Sequence, residues 1–97
     1  GFDYNLWVLF KLNKSEVVAT LKYTLDQRLE GNRAPFLFGA HTDYYSPSYP
    51  ESSAPNSTYQ ERREAIEEFL QYAFSKPEVR IVSYKKILDW IRSPSAL

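Results

Sequence analysis

The 97-residue chain is 43% hydrophobic, 16% aromatic and 25% charged, with twelve acidic and twelve basic residues. That composition suits one small globular domain, not a disordered tail, and the charge balance leaves no global field to gather nucleic acid or anionic lipid. No apolar run reaches the length of a membrane span, and without cysteine there is no disulfide or thiolate metal site.

The start, Gly1-Phe2-Asp3-Tyr4, has no basic region leading into an apolar one, so a signal peptide is absent or already removed. The chain lacks methionine, an initiator included, and we expect an excised or processed piece of a longer protein. Leu6-Trp7-Val8-Leu9-Phe10-Lys11-Leu12 is a nearly continuous apolar run with β-branched and aromatic members, and is predicted as a strand buried on both faces. Asn13 with Glu16 three residues later forms a capping-box start, and Val18, Leu21, Leu25 and Leu29 recur at helical spacing until Gly31-Asn32 offers a stop.

Residues 35–40 are predicted as a second strand, and 42–57, with Pro47, Pro50 and Pro55 among serines and tyrosines, as a long loop. Thr58 with Glu61 is a second capping box, opening a helix whose apolar stripe is Ala65, Ile66, Phe69, Leu70 and Ala73. Residues 79–83 are predicted as a third strand. A last helix then places Ile87, Trp90 and Ile91 on one packing face before Pro94.

The order β-α-β-loop-α-β-α predicts an α/β fold with parallel strands joined by right-handed crossovers, which puts the strand ends after His41 and Val82 on one rim. Three such strands leave their edges unprotected, whereas a closed (β/α) barrel takes about 250 residues; the pattern looks like the last third of one, with 1–97 a single segment.

His41, the only histidine, ends the second predicted strand, where α/β proteins usually place chemistry. The stretch from Gly31 through Phe36-Leu37-Phe38-Gly39-Ala40-His41, the helix from Glu61 to Ala73, the segment from Lys76 to Tyr84, and the ending Asp89-Trp90-Ile91-Arg92-Ser93-Pro94 resemble the C-terminal part of a polysaccharide deacetylase. The similarity is to the chitin-deacetylase-like branch of the NodB-homology carbohydrate esterases. It implies an incomplete (β/α) barrel that removes N-acetyl groups from amino sugars with a divalent metal, usually zinc, and an extracytoplasmic or secreted setting. The resemblance further implies that the metal ligands and the catalytic base come from upstream segments, the N-terminal remainder of the same protein. This chain, with one histidine, holds no metal by itself. His41 matches the family's late histidine, the general acid: an amine leaves poorly unless protonated, and a histidine beside a carboxylate can donate the proton near neutrality. Asp3 and Asp43 are the local carboxylates for that partnership. The match departs from the family pattern at Gly39, where a leucine lining the acetyl pocket is common, and at Thr42, where aspartate or asparagine is common.

Each residue has a plainer role beside the functional one. Trp7 lines a substrate pocket or belongs to the core, and Tyr44, Tyr45 and Tyr49 stack on sugar rings or pin the proline-rich loop. Glu61-Arg62-Arg63-Glu64 with Glu67 and Glu68 is read as a solvated helix face with pairs such as Arg63 and Glu67. Asn56-Ser57-Thr58 fits a glycosylation sequon without supporting context. Two functions follow: the acid-bearing segment of a metal-dependent deacetylase acting on an amino-sugar polymer or oligosaccharide, or a non-catalytic α/β module that binds carbohydrate or a protein partner through its tyrosine-rich loop, Tyr44 and Tyr45.

Overall fold

Both capping boxes form. In the computed structural model, which describes residues 2–94, Asn13 accepts a hydrogen bond from the Glu16 amide and Glu16 accepts one from the Asn13 amide, both 2.9 Å. This opens α1, Lys14–Glu30. Thr58 and Glu61 do the same at 3.1 and 2.9 Å to open α2, Tyr59–Phe74. Each box satisfies amides that the first turn leaves without a partner. α1 stops at Gly31, whose amide bonds to the Gln27 carbonyl; a Cβ there would lie 2.9 Å from that same oxygen, which no side chain tolerates.

α1 buries Val17, Val18, Leu21 and Leu25 against Ala65, Phe69 and Ala73 of α2. Lys14 reaches Glu64 and Glu68, while Asp26 accepts a hydrogen bond from the Tyr72 hydroxyl. These contacts set the two helices running in the same direction, so the chain between them must return along their length. Residues 31–58 make that return.

The α/β expectation is overturned: among the described residues there is no strand, hence no parallel sheet and no barrel portion. The predicted first strand, 6–12, instead lies largely in a π-helical turn, Tyr4–Leu9. Its backbone is satisfied locally, Phe10 N to Asn5 O and Leu12 N to Leu6 O at 2.9 Å each. A short apolar run carries no period that separates strand from buried helix, and here Leu6 and Trp7 turn inward while Leu9 and Phe10 face out. Lys11 reverses the chain at φ 52°, its carbonyl held by the Asn56 side chain.

Residues 35–40 keep a strand-like alternation, with Phe36 and Phe38 against the core and Leu37 outward. They form no ladder, because the neighbours they meet are a helical turn and α2. Residues 79–83 form none either, and Ile81 and Val82 are exposed. A β-ladder needs a second extended segment alongside, and among the described residues these two segments do not meet one.

The 42–57 loop is tightly turned, with 3₁₀ turns at Thr42–Tyr45 and Glu51–Ser53. α3, Tyr84–Arg92, starts at Ser83, which caps the Lys86 amide. It buries no residue; Trp90, expected on a packing face with Ile87 and Ile91, is 44% exposed.

Thr58→Ala should cost about 1 kcal/mol, the usual worth of an N-cap, lowering the melting temperature by about 4–8 °C, whereas Glu67→Ala on the exposed face should leave it nearly unchanged. Parallel thermal melts followed by circular dichroism check both.

Candidate functional site

Asp3 has no exposed surface. It is carried into the interior beside the π-helical turn, which starts at the next residue, and it meets the end of the 35–40 segment there. Its amide reaches the Gly39 carbonyl at 3.5 Å. The carboxylate gathers three donors: the His41 backbone N–H at 2.8 Å and the Tyr45 hydroxyl at 3.1 Å on Oδ2, and His41 Nδ1 at 2.9 Å on Oδ1. The indole of Trp7 can only donate, and it does so to the Tyr45 oxygen at 3.3 Å. That contact leaves the Tyr45 hydroxyl proton for Asp3, so the whole chain of bonds has one direction.

The same logic fixes the imidazole. A carboxylate accepts, so Nδ1 carries its proton and is turned inward. The His41 side chain is 46% exposed, and Nε2 lies on the edge of the ring away from Asp3. Tyr44 supports the ring from one side, with centroids 4.8 Å apart, and Tyr49 packs in turn against Tyr44 at 4.8 Å, its ring tilted by 60°.

Of the sequence-predicted residues, the structure joins Asp3, Trp7, His41, Tyr44 and Tyr45 into one cluster. Asp43 is exposed and is not the carboxylate that meets the imidazole. Trp7 and Tyr44 are buried, so their surfaces are committed to the core. Burial pushes the Tyr45 hydroxyl well above the usual phenol range, and burial raises Tyr44 as well.

Sequence reasoning missed Arg62. It is fully buried, not part of a solvated face. Its Nε donates to the Tyr44 carbonyl at 2.5 Å and its Nη1 to the Ser57 carbonyl and hydroxyl at 2.8 and 2.9 Å, while the guanidinium lies over the Tyr49 ring. Nη2 has no partner, and burial lowers the pKa of the group. The only hint in the sequence was position: Arg62 stands three residues before Ala65 and seven before Phe69, on the buried stripe of α2. Arg63 binds the next carbonyl, Tyr45 O, at 2.7 Å in place of the expected pairing with Glu67. Two consecutive arginines thus hold two consecutive loop carbonyls.

Beside the cluster, Phe38, Ala40, Tyr45, Arg63 and Ile66 line a shallow hollow of about 270 Å³. No group of three or more histidine, aspartate or glutamate side chains converges among the described residues, and His41 has its inner nitrogen committed to Asp3. The described residues therefore do not fit a metal centre. No family model matches the chain, and neither a curated protein nor a solved structure matches it.

The raised Tyr45 pKa makes a stability prediction. Above about pH 10 the unfolded chain releases a phenolic proton that the native state keeps, so the native state binds more protons and stability falls as pH rises. Tyr44, raised by burial, Tyr72, raised by its bond to Asp26, and Lys14, raised by its bond to Glu68, act in the same direction. Tyr45→Phe should be less stable at pH 7 by about 2 kcal/mol, two lost hydrogen bonds, yet lose less between pH 9 and about 11 than the parent. Denaturant titrations across that range test the crossing slopes.

Proposed function

We propose that this chain is the acid-bearing segment of a hydrolase that removes N-acetyl groups from an amino-sugar polymer or oligosaccharide. The observation that carries the reading is the Asp3–His41 dyad: a fully buried carboxylate on Nδ1 of a half-exposed imidazole. The resemblance of 31–41 and 89–94 to polysaccharide deacetylases supports the same role for His41.

In this reading Asp3 holds the ring in one tautomer and orientation and balances the imidazolium charge. Nε2–H donates its proton to the amide nitrogen as the bond from that nitrogen to the acetyl carbon breaks, and the sugar departs as a neutral amine. Two further donors, the His41 amide and the Tyr45 hydroxyl, also bond to the Asp3 side chain and hold it in place beside the ring. The divalent metal that the resemblance implies would polarise the acetyl carbonyl. Its ligands and the base that activates water belong to residues outside this chain, the N-terminal remainder of the same protein.

The tyrosine-loop alternative has less support. Tyr44 is buried, and the Tyr45 hydroxyl, which would bond to the rim of a sugar, is engaged by Trp7 and Asp3.

In the complete protein, His41→Ala should cut turnover of an acetylated amino-sugar oligosaccharide by at least about a hundredfold while leaving metal content unchanged. Asp3→Asn should lose a comparable amount, since an amide can turn its own donor toward Nδ1 and stabilise the wrong tautomer. Near-normal turnover in His41→Ala refutes the assignment.

A further inference from the structure

We infer that α3 and the segment leading into it form an arm that lies on the surface of an anionic lipid bilayer, the apolar side of the helix among the headgroups and its basic side chains on the lipid phosphates. The inference does not depend on the reaction proposed for His41.

The first observation is apolar surface left open to water. Ile81, Val82, Tyr84, Leu88 and Ile91 are all exposed, and α3 buries no residue. At 3.6 residues per turn, Tyr84, Ile87, Leu88 and Ile91 share one side of the helix. A helix of nine residues is marginal in water by itself, and helices of that length hold by laying their apolar side on something.

Charge decides what covers it. The balance of twelve acids and twelve bases is uneven along the chain: residues 76–97 hold five of the bases and two of the acids, which leaves seven bases and ten acids on the rest. Around α3, Arg92 and Lys85 border the apolar side beyond Leu88, and Lys86 borders it beyond Trp90. Asp89, the one acid of the helix, falls between the two lysines on the far side and pairs with Lys85 at 3.2 Å. Among the described residues neither Lys86 nor Arg92 has an ion-pair partner. An apolar side edged by bases, with the acid turned away, suits a helix lying in the plane of an anionic interface, and tyrosine and tryptophan, present at Tyr84 and Trp90, are residue types that settle at headgroup level.

A second copy of the chain fits this arm less well. Two such arms repel, because each holds more bases than acids. The nine-residue helix is about 13 Å long, too short for one face to supply the roughly 800 Å² per partner of a standard interface. A bilayer sets no such minimum, since apolar burial and attraction to anionic lipid add up residue by residue, and it repels the acidic remainder of the chain, which stays in water.

The test is flotation of the whole chain in low salt with vesicles of phosphatidylcholine and phosphatidylglycerol, and with vesicles of phosphatidylcholine alone. Binding to the first should be saturable and at least about tenfold tighter than to the second, since each unpaired base is worth about fivefold at an anionic surface. Lys86→Gln and Arg92→Gln should each weaken it by about fivefold, whereas Lys22→Gln, which removes the same charge from α1, should change it by less than about twofold. Leu88→Gln together with Ile91→Gln, at exposed positions and unchanged charge, should weaken it by at least about tenfold. No flotation with the anionic vesicles, equal binding to both kinds, or a loss in Lys22→Gln equal to that in Lys86→Gln overturns the inference. So does a dimer in light scattering that the Leu88→Gln, Ile91→Gln chain no longer forms, because the arm then belongs to a second copy. Flotation reads attachment without turnover, so its outcome and that of the His41→Ala comparison stand or fall separately.

Discussion

A carboxylate with no exposed surface must find its hydrogen-bond donors inside the protein, and Asp3 finds them on two separate stretches of chain, the backbone and ring of His41 and the hydroxyl of Tyr45. Taking such a charge out of water costs several kcal/mol unless those bonds are made, so the N-terminal turn, the end of the 35–40 segment and the start of the loop are obliged to stay together. The same bonds select the tautomer of His41 and the direction of the Tyr45 hydroxyl. Folding and the placement of the reactive nitrogen are in this sense one event.

A buried cation answers it from the other side of the loop. Arg62 binds the Tyr44 carbonyl while Asp3 binds the Tyr45 hydroxyl, so two adjacent residues are strung between an interior anion and an interior guanidinium. Neither charge touches the other. Tyr44 and Tyr49 fill the space between Arg62 and His41 with packed, mutually tilted rings, which gives the imidazole an aromatic backing built from α2 outward.

How much of this was legible in the sequence depends on the range of the forces involved. The two capping boxes and the Gly31 stop are chemistry among residues three or four apart, and they stand where the spacing put them. The predicted strands at 6–12, 35–40 and 79–83 had β-like composition, but a strand is a relation between two segments, and these found a helical turn, a helix and no ladder. The partnership of Asp3 with His41 spans 38 residues; sequence offered Asp3 and Asp43 without a means to choose between them. Arg62 was hidden by its neighbours: in a run of alternating charges only the helical phase distinguishes the one that turns inward.

The two tryptophans fall at opposite extremes of this architecture. Trp7 is 1% exposed and hydrogen-bonded at the centre of the buried cluster, whereas Trp90 sits at 44% on α3, beyond the helix pair. Their fluorescence is thus spectrally divided by environment, with a blue-shifted component from the interior and a red-shifted component that an aqueous quencher such as iodide can reach. Melting of the Asp3 cluster moves the first toward the second, while anything that covers α3 removes the quencher from Trp90 and leaves Trp7 untouched. The chain carries an intrinsic two-channel optical reporter, one channel for its core and one for its surface arm.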